Sequence, residues 1–297
     1  MVRPLRCLSQ HERLNFLLTN RVPRRALTRF MGWLSRIESP TLTRLLIGIW
    51  RRFAEDLQLE EAETQHFGSL QECFTRRLKP GVRPVDPRDE VVVSPCDAEI
   101  GECGRVQGRT VFQAKGFPYE LGELMPDTRV QQAFEQGTYV TLRLKSCMYH
   151  RFHAPVRCSV REVQYISGDT WNVNPIALRR IERLYCRNER ALVPLHDIAT
   201  QGSLCLVPIA AILVASLRIR GIEPELGLRY RGPNRIACDV EFSKGEEMGY
   251  FQHGSTILVF ATQNYRLAPG LRTGGRIRMG EPLLIDTAGM SAAAHGQ

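Results

Sequence analysis

The chain of 297 residues is expected to be α+β, a mostly antiparallel β domain carrying an amphipathic helical N-terminal arm. Two observations predict this. Apolar residues recur at helical spacing between Leu27 and Phe53, whereas from Val91 onward short β-branched and aromatic runs alternate with Gly, Pro and Asp. Few long helical patterns interrupt the second region, which argues for strands paired by short connections rather than by crossover helices. A hydrophobic fraction of 43% is ordinary for a globular core, and no internal repeat is evident.

The arm comes first. Leu27, Phe30, Met31, Leu34 and Ile37 form one stripe, Ser39-Pro40 breaks it, and Leu42, Leu45, Leu46, Ile49, Trp50 and Phe53 resume it. Arg29, Arg36, Arg44, Arg51 and Arg52 lie off the stripe or at its edge. Residues 1–53 hold eleven arginines against Glu12 and Glu38, so the arm alone accounts for the formal net charge of +9. An Arg-rich helix with Trp, Phe and Leu opposite suits the interface of an anionic membrane. The alternative is that both stripes pack on the protein's own core. Amphipathicity alone favours that packing, and the near absence of acidic residues speaks for the membrane. A mitochondrial transit peptide is a weaker reading, and nucleic acid weaker still, because the arm lacks Lys and any nucleic-acid motif.

The acidic run Glu55, Asp56, Glu60, Glu61 and Glu63 reads as a solvated helix end or linker, which separates an arm of residues 1–62 from a β-rich domain of residues 63–297. Strands are expected over Val91 to Val93, Glu99 to Gly104, Thr138 to Leu144, Val160 to Ile166, Leu206 to Val214, Ala237 to Phe242, Thr256 to Phe260 and Pro282 to Ile285. Nine scattered cysteines form no C-x-x-C pair and read as reduced thiols, neither bridged nor metal-binding. The apolar run Leu45 to Trp50 is far short of the ~20 residues that span a bilayer, and no cleavable secretory signal opens the chain. Neither export nor a membrane span is expected.

Chemistry concentrates at Gly254-Ser255-Thr256, set between the apolar segments Tyr250-Phe251 and Ile257 to Phe260. The segment reads as strand, sharp turn, strand. The Ser255 hydroxyl can add to the neighbouring Gly254 carbonyl, which has no side chain in the way. The amide then becomes an ester, loss of the Ser255 α-proton breaks the chain, and the new terminus hydrolyses to a pyruvoyl group, a built-in electrophile. The plainer reading is a hairpin turn. Self-attack needs a base, and His150 and His153 follow a well-formed strand candidate; on a strand, three-residue spacing turns them to opposite faces. No third ligand at a familiar spacing accompanies them, so no metal is expected. Asp97, in the turn Ser94-Pro95-Cys96-Asp97, is the acid that could orient a base, or a turn aspartate bonding its own backbone.

Taken together, Phe74-Thr75-Arg76-Arg77-Leu78, Arg83-Pro84-Val85-Asp86, Ser94-Pro95-Cys96-Asp97, Tyr149-His150-Arg151-Phe152-His153-Ala154-Pro155 and Gly254-Ser255-Thr256 resemble, in order and spacing, the phosphatidylserine decarboxylase family. Gly168-Asp169, Asn172-Val173-Asn174, Asn188-Glu189-Arg190 and Lys244 to Gly249 extend the resemblance over most of the chain.

The resemblance implies an Asp97, His153 and Ser255 triad that cuts between Gly254 and Ser255, leaving a β chain of residues 1–254 and an α chain of residues 255–297. It implies a covalent pyruvoyl cofactor at Ser255, which serves as the Schiff-base site for the lipid's amine. It further implies decarboxylation of phosphatidylserine to phosphatidylethanolamine and carbon dioxide, a step of phospholipid biosynthesis, with His150 as proposed proton donor.

The implied partners are the lipid, a membrane surface held peripherally through the arm, the protein's own two chains and, potentially, a second copy in a homo-oligomer, with no nucleic acid. The implied place is the cytoplasmic side of a bacterial inner membrane, with the mitochondrial inner membrane less favoured. On this reading, polar replacements of Trp33, Leu46 and Trp50 release the protein from membranes. Two departures stand out: His253 where many relatives have Leu before the Gly-Ser pair, and Met148 where bacterial relatives often carry Asp. They support an alternative, a divergent membrane-binding relative that cuts itself without decarboxylating phosphatidylserine.

Overall fold

The computed structural model describes residues 23–54, 56–114, 117–212, 216–223, 225–227, 229–252 and 256–287. His253, Gly254 and Ser255 lie outside them. The described chain is α+β, and every pair of strands runs antiparallel.

An eight-stranded sheet organises the body, in the order Arg235–Phe242, Cys158–Ile166, Arg190–Asp197, Ser203–Ile209, Thr256–Ala261, Thr138–Arg143, Ala98–Arg105 and Arg276–Ile277. Thr256–Ala261 is buried along its whole length because apolar layers cover both faces. Ile257, Val259 and Ala261 enter one core cluster, while Leu258 and Phe260 enter the other. A strand buried on both faces gains from apolar residues at every position, which explains the unbroken run Ile257 to Phe260. A four-stranded sheet, ordered Leu226–Gly227, Ser216–Ile219, Glu247–Phe251 and Arg151–His153, packs into the first of these clusters through Phe152, Leu217, Met248 and Phe251.

The two strands expected on either side of Gly254-Ser255 are present, but they do not form a hairpin. Glu247–Phe251 pairs with Ser216–Ile219 and Arg151–His153, whereas Thr256–Ala261 pairs with Thr138–Arg143 and Ser203–Ile209. The chain passes from one sheet to the other across residues 252–255.

All eight expected strands occur, with shifted ends; the one placed at Leu206 to Val214 is Ser203–Ile209. Arg190–Asp197 was not expected, since Pro194 cannot donate to a ladder. It is tolerated because the pairing with Cys158–Ile166 slips its register between Ser159 and Gln164, opposite this section of the strand.

Helix α1 spans Arg24–Leu34 and helix α2 spans Pro40–Phe53. The Ser39-Pro40 break is the start of α2: the Ser39 hydroxyl accepts from the Leu42 N–H at 3.4 Å, and Pro40 occupies the first turn, where its missing N–H is no loss. A short helix α3, Leu70–Phe74, follows. The arm is tied to the body by the Arg24–Asp169 ion pair at 2.6 Å, by Gln71 N–H donating to the Ser35 carbonyl and by Thr43 Oγ1 donating to the Gly68 carbonyl.

Its amphipathicity is partly inverted. Thr28, Gly32 and Thr43 are buried, while Phe30, Trp33, Leu45 and Ile49 stand 52%, 62%, 60% and 45% exposed. Leu46 and Trp50, expected to face outward with Trp33, are half-buried, and the Trp50 ring stacks on Phe74 at 5.5 Å. Among the described residues no helix is long and apolar enough to cross a membrane.

Candidate active site

Asp97 and His153 lie where the two sheets meet. Asp97 immediately precedes Ala98–Arg105, and His153 ends the strand Arg151–His153, its N–H donating to the Pro95 carbonyl at 2.8 Å.

The Asp97 carboxylate, 4% exposed, does not cap its own turn. It accepts from Arg83 Nε at 2.9 Å on Oδ1, from Arg83 Nη2 at 2.6 Å on Oδ2 and from the Met279 N–H at 2.9 Å. The same Arg83 Nη2 donates to Glu61 Oε2 at 2.7 Å. Glu61 is therefore one end of a buried carboxylate–guanidinium–carboxylate chain, not a member of a solvated linker. Burial works against the Arg83 charge, but hydrogen bonds and attraction from Asp97 and Glu61 outweigh it and hold the guanidinium above its ordinary value.

His153 is 8% exposed, and both ring nitrogens are engaged. Nδ1 lies 2.9 Å from the Gly245 carbonyl, and Nε2 lies 2.9 Å from the Tyr149 hydroxyl. A carbonyl only accepts, so Nδ1 carries the proton and Nε2 presents its lone pair to the phenol. Burial lowers the His153 pKa below 6.5, against opposing contributions from the Gly245 bond and the charges of Glu247 and Asp97. The imidazole is accordingly neutral at pH 7. Asp97 acts on it through space, while the Gly245 carbonyl holds the tautomer that a triad aspartate was expected to hold. Burial also raises the Tyr149 pKa, so its phenol keeps its proton.

His150, which precedes the strand Arg151–His153, faces elsewhere. It is fully buried, its Nδ1 lies 2.7 Å from the Met148 carbonyl, and its ring centroid is 3.9 Å from that of Phe74. Met148 turns into an apolar cluster with Leu57, Leu59, Cys73 and Cys147.

The segment leading to Ser255 is anchored beside these groups. Phe251 N–H donates to the His150 carbonyl at 3.0 Å, Gln252 N–H donates to the Ser216 carbonyl at 3.2 Å, and the Gln252 amide oxygen accepts from Arg36 Nη2 at 2.9 Å. Thr256, on the far side, is fully buried in the central strand.

Sequence reasoning missed Arg83, Tyr149, Gly245 and Arg36 as site residues. The first three lie inside motifs that carried the resemblance, but their roles depend on partners distant in sequence. Among the described residues, no group of three His, Cys, Asp or Glu is placed to hold a metal.

Comparison with known proteins shows the family of the chain. The family model for phosphatidylserine decarboxylase matches residues 70–285, and a second model, described as PSD, matches residues 14–54. The chain is 34% identical over 281 residues to a phosphatidylserine decarboxylase proenzyme of Anaeromyxobacter sp. (strain K), covering 92% of this chain and 98% of that one. It is 33% identical over 276 residues to the protein of that name from Myxococcus xanthus (90% and 96%), and 34% identical over 272 residues to the one from Vibrio cholerae (88% and 94%). With matches of this extent on both sides, the chain belongs to the phosphatidylserine decarboxylase family and is a decarboxylase.

Proposed function

We propose that the chain is made as a proenzyme, cuts itself between Gly254 and Ser255, and then decarboxylates phosphatidylserine at the membrane surface. The observation that carries this reading is the buried, neutral His153 with a fixed tautomer, influenced by Asp97, on a strand that pairs with Glu247–Phe251, the strand that precedes Gly254-Ser255 in the chain. His153 Nε2 takes the Ser255 hydroxyl proton, directly or through Tyr149, as the oxygen adds to the Gly254 carbonyl. The Gly254–Ser255 amide bond breaks, an ester forms to the Ser255 oxygen, and the proton goes to the freed Ser255 nitrogen. A base then removes the Ser255 α-proton, and Gly254 departs as a carboxylate. Water converts the remaining dehydroalanine to a pyruvoyl group with release of ammonia. Asp97 favours the imidazolium that forms during proton transfer, and Arg83 fixes the position of Asp97.

The residues fit such a group. Gln252 and Thr256, the described residues on either side, are 3% and 0% exposed, so the flanking chain is held in the core. When present, the pyruvoyl ketone binds the substrate amine and draws electrons from the breaking bond to the carboxylate. His150 is the residue we assign to protonate the carbon that loses carbon dioxide. Exposed Phe30, Trp33, Leu45 and Ile49 beside the arginines of the arm support peripheral attachment. We place the protein on the cytoplasmic face of a bacterial inner membrane.

Intact-mass measurement of the wild type beside Ser255→Ala tests the reading. A wild type split after Gly254 with a pyruvoyl-blocked small chain, an uncut variant, and activity abolished by borohydride are expected. An uncut wild type would leave no ketone and sink the mechanism. The Met148 departure favours one second reading, a relative that cuts itself but leaves phosphatidylserine unchanged; a split chain with no headgroup conversion would select it.

A further inference from the structure

Between helix α1 and the chain from Ser216 to Arg231 lies a cavity of about 400 Å³ to which the chemistry above gives no occupant. Its lining includes Arg29, Arg36, Arg229 and Arg231, with Trp33 at the edge and Ser216 in the wall. Arg36 is already engaged, donating to Gln71, Gln252 and Glu225. Arg29, Arg229 and Arg231 have no carboxylate partner among the described residues, although Glu225 also lines the cavity. Three guanidinium groups without a carboxylate partner around a concave space, against the single lining carboxylate of Glu225, suit a phosphate, which accepts from their N–H forks on several oxygens at once.

Ser216 is a second, independent sign of a ligand. It is 5% exposed, and its hydroxyl has no hydrogen-bond partner among the described residues. A buried hydroxyl of this kind calls for an acceptor or donor from outside the chain. Its own carbonyl receives the Gln252 N–H, and Gln252 in turn receives Arg36, so the cavity wall and the segment leading to Ser255 form one hydrogen-bonded unit. Trp33 and Phe30, whose rings lie 5.9 Å apart and both face solvent, provide apolar surface on the helix that forms the other wall.

We propose that this cavity holds the phosphodiester of the phospholipid whose serine headgroup is decarboxylated. Arg29, Arg229 and Arg231 surround the phosphate, the Ser216 hydroxyl donates to one of its oxygens, and the acyl chains leave over Trp33 and Phe30. The assignment rests on the decarboxylase reading and adds to it the group that distinguishes a phospholipid from free serine.

The test is calorimetric titration of the full-length Ser255→Ala chain, which performs no chemistry, with dihexanoyl phosphatidylserine kept below its micelle concentration and, separately, with inorganic phosphate. Monomeric lipid removes general attraction to a charged surface from the measurement. In this background Arg229→Gln/Arg231→Gln weakens lipid binding about tenfold or more, and Ser216→Ala about threefold or more. Inorganic phosphate competes for the same site, but only at higher concentration. Thermal unfolding confirms that the variants are folded; the arginines are exposed, so their loss does not threaten the core. Lipid affinity changed less than threefold in both variants, or no binding of the monomeric lipid, overturns the assignment. Phosphate binding as tight as lipid binding makes this a free-anion site and overturns it as well. The decarboxylase reading fails separately, if the otherwise wild-type enzyme forms no phosphatidylethanolamine while lipid binding at this cavity persists.

Discussion

Arg83 shows how one side chain sets the charge balance of the site. It joins Asp97 and Glu61, and removing one partner from such a buried chain leaves charges that nothing compensates. Arg83→Gln is expected to lower stability by about 3–5 kcal/mol in urea unfolding, and to stop processing even in the fraction that folds. His153, as the base of the proposed self-cleavage, makes processing depend on pH in a defined direction. Its folded pKa lies below 6.5, so the base is lost as pH falls through that lower value and is fully present from pH 7 upward. Chain splitting of freshly translated protein, followed by mass, should be flat above pH 7 and slow only as the pH falls below 6.5. Glu189 behaves in the opposite sense: burial pushes its carboxyl up to about 7, against the Tyr165 hydroxyl that donates to it at 2.8 Å. Its folded value exceeds its unfolded 4.5, so its contribution to stability is whole at low pH and lost as pH rises through about 7. Glu189→Gln should leave stability nearly unchanged near pH 5 and raise it by about 3 kcal/mol at pH 8, measured by urea midpoints.

At the scale of elements, the arm divides its apolar residues between two neighbours. Trp50 stacks on Phe74, and Phe74 lies against His150, so α2 reaches the candidate site through two aromatic contacts. Phe30, Trp33, Leu45 and Ile49 contribute nothing comparable to the core and expose apolar surface at a cost in water. Replacing those four with Ser should abolish co-sedimentation with anionic vesicles and leave the unfolding midpoint within a few degrees. Trp50→Ala should do the reverse, costing about 2–4 kcal/mol while vesicle binding persists. Equal loss of vesicle binding in both variants would remove the assignment of the outward face. The strand Glu247–Phe251 shows a tighter constraint, because a Cβ added at Gly249 would fall 2.1 Å from the Arg218 carbonyl oxygen. Gly249→Ala must therefore push apart a pair of hydrogen-bonded strands, and insoluble or unprocessed protein is the expected outcome.

For the whole molecule, the position of the proposed cut matters more than its chemistry. Thr256–Ala261 pairs along six residues with a neighbour on each side, and Pro282–Asp286 pairs with both Val91–Val93 and Tyr265–Leu267. A chain beginning at Ser255 thus supplies the central strand of the main sheet as well as strands of the three-stranded sheet. Cutting releases the backbone at a crossing between sheets without removing any of this pairing. The two chains should co-elute on a sizing column after processing and separate only in denaturant.

The strand set and the helical pair were legible because each rests on local pattern: β-branched runs between turn residues, and apolar spacing near 3.6. The spacing of His150 and His153 was likewise legible before their surroundings. The partners of those residues could not be read in this way. Arg83 reaches Asp97 across 14 positions, Met279 reaches it across 182, and His153 gives its proton to a carbonyl 92 positions away. Leu46 and Leu45 are the same residue type one position apart, yet one turns in and the other out, because only the packed body determines which side of a helix is covered. By itself the sequence determined which groups are present and the local elements that carry them. Tertiary structure alone decided which are buried, paired and neutral, since desolvation and charge act through space and not along the chain.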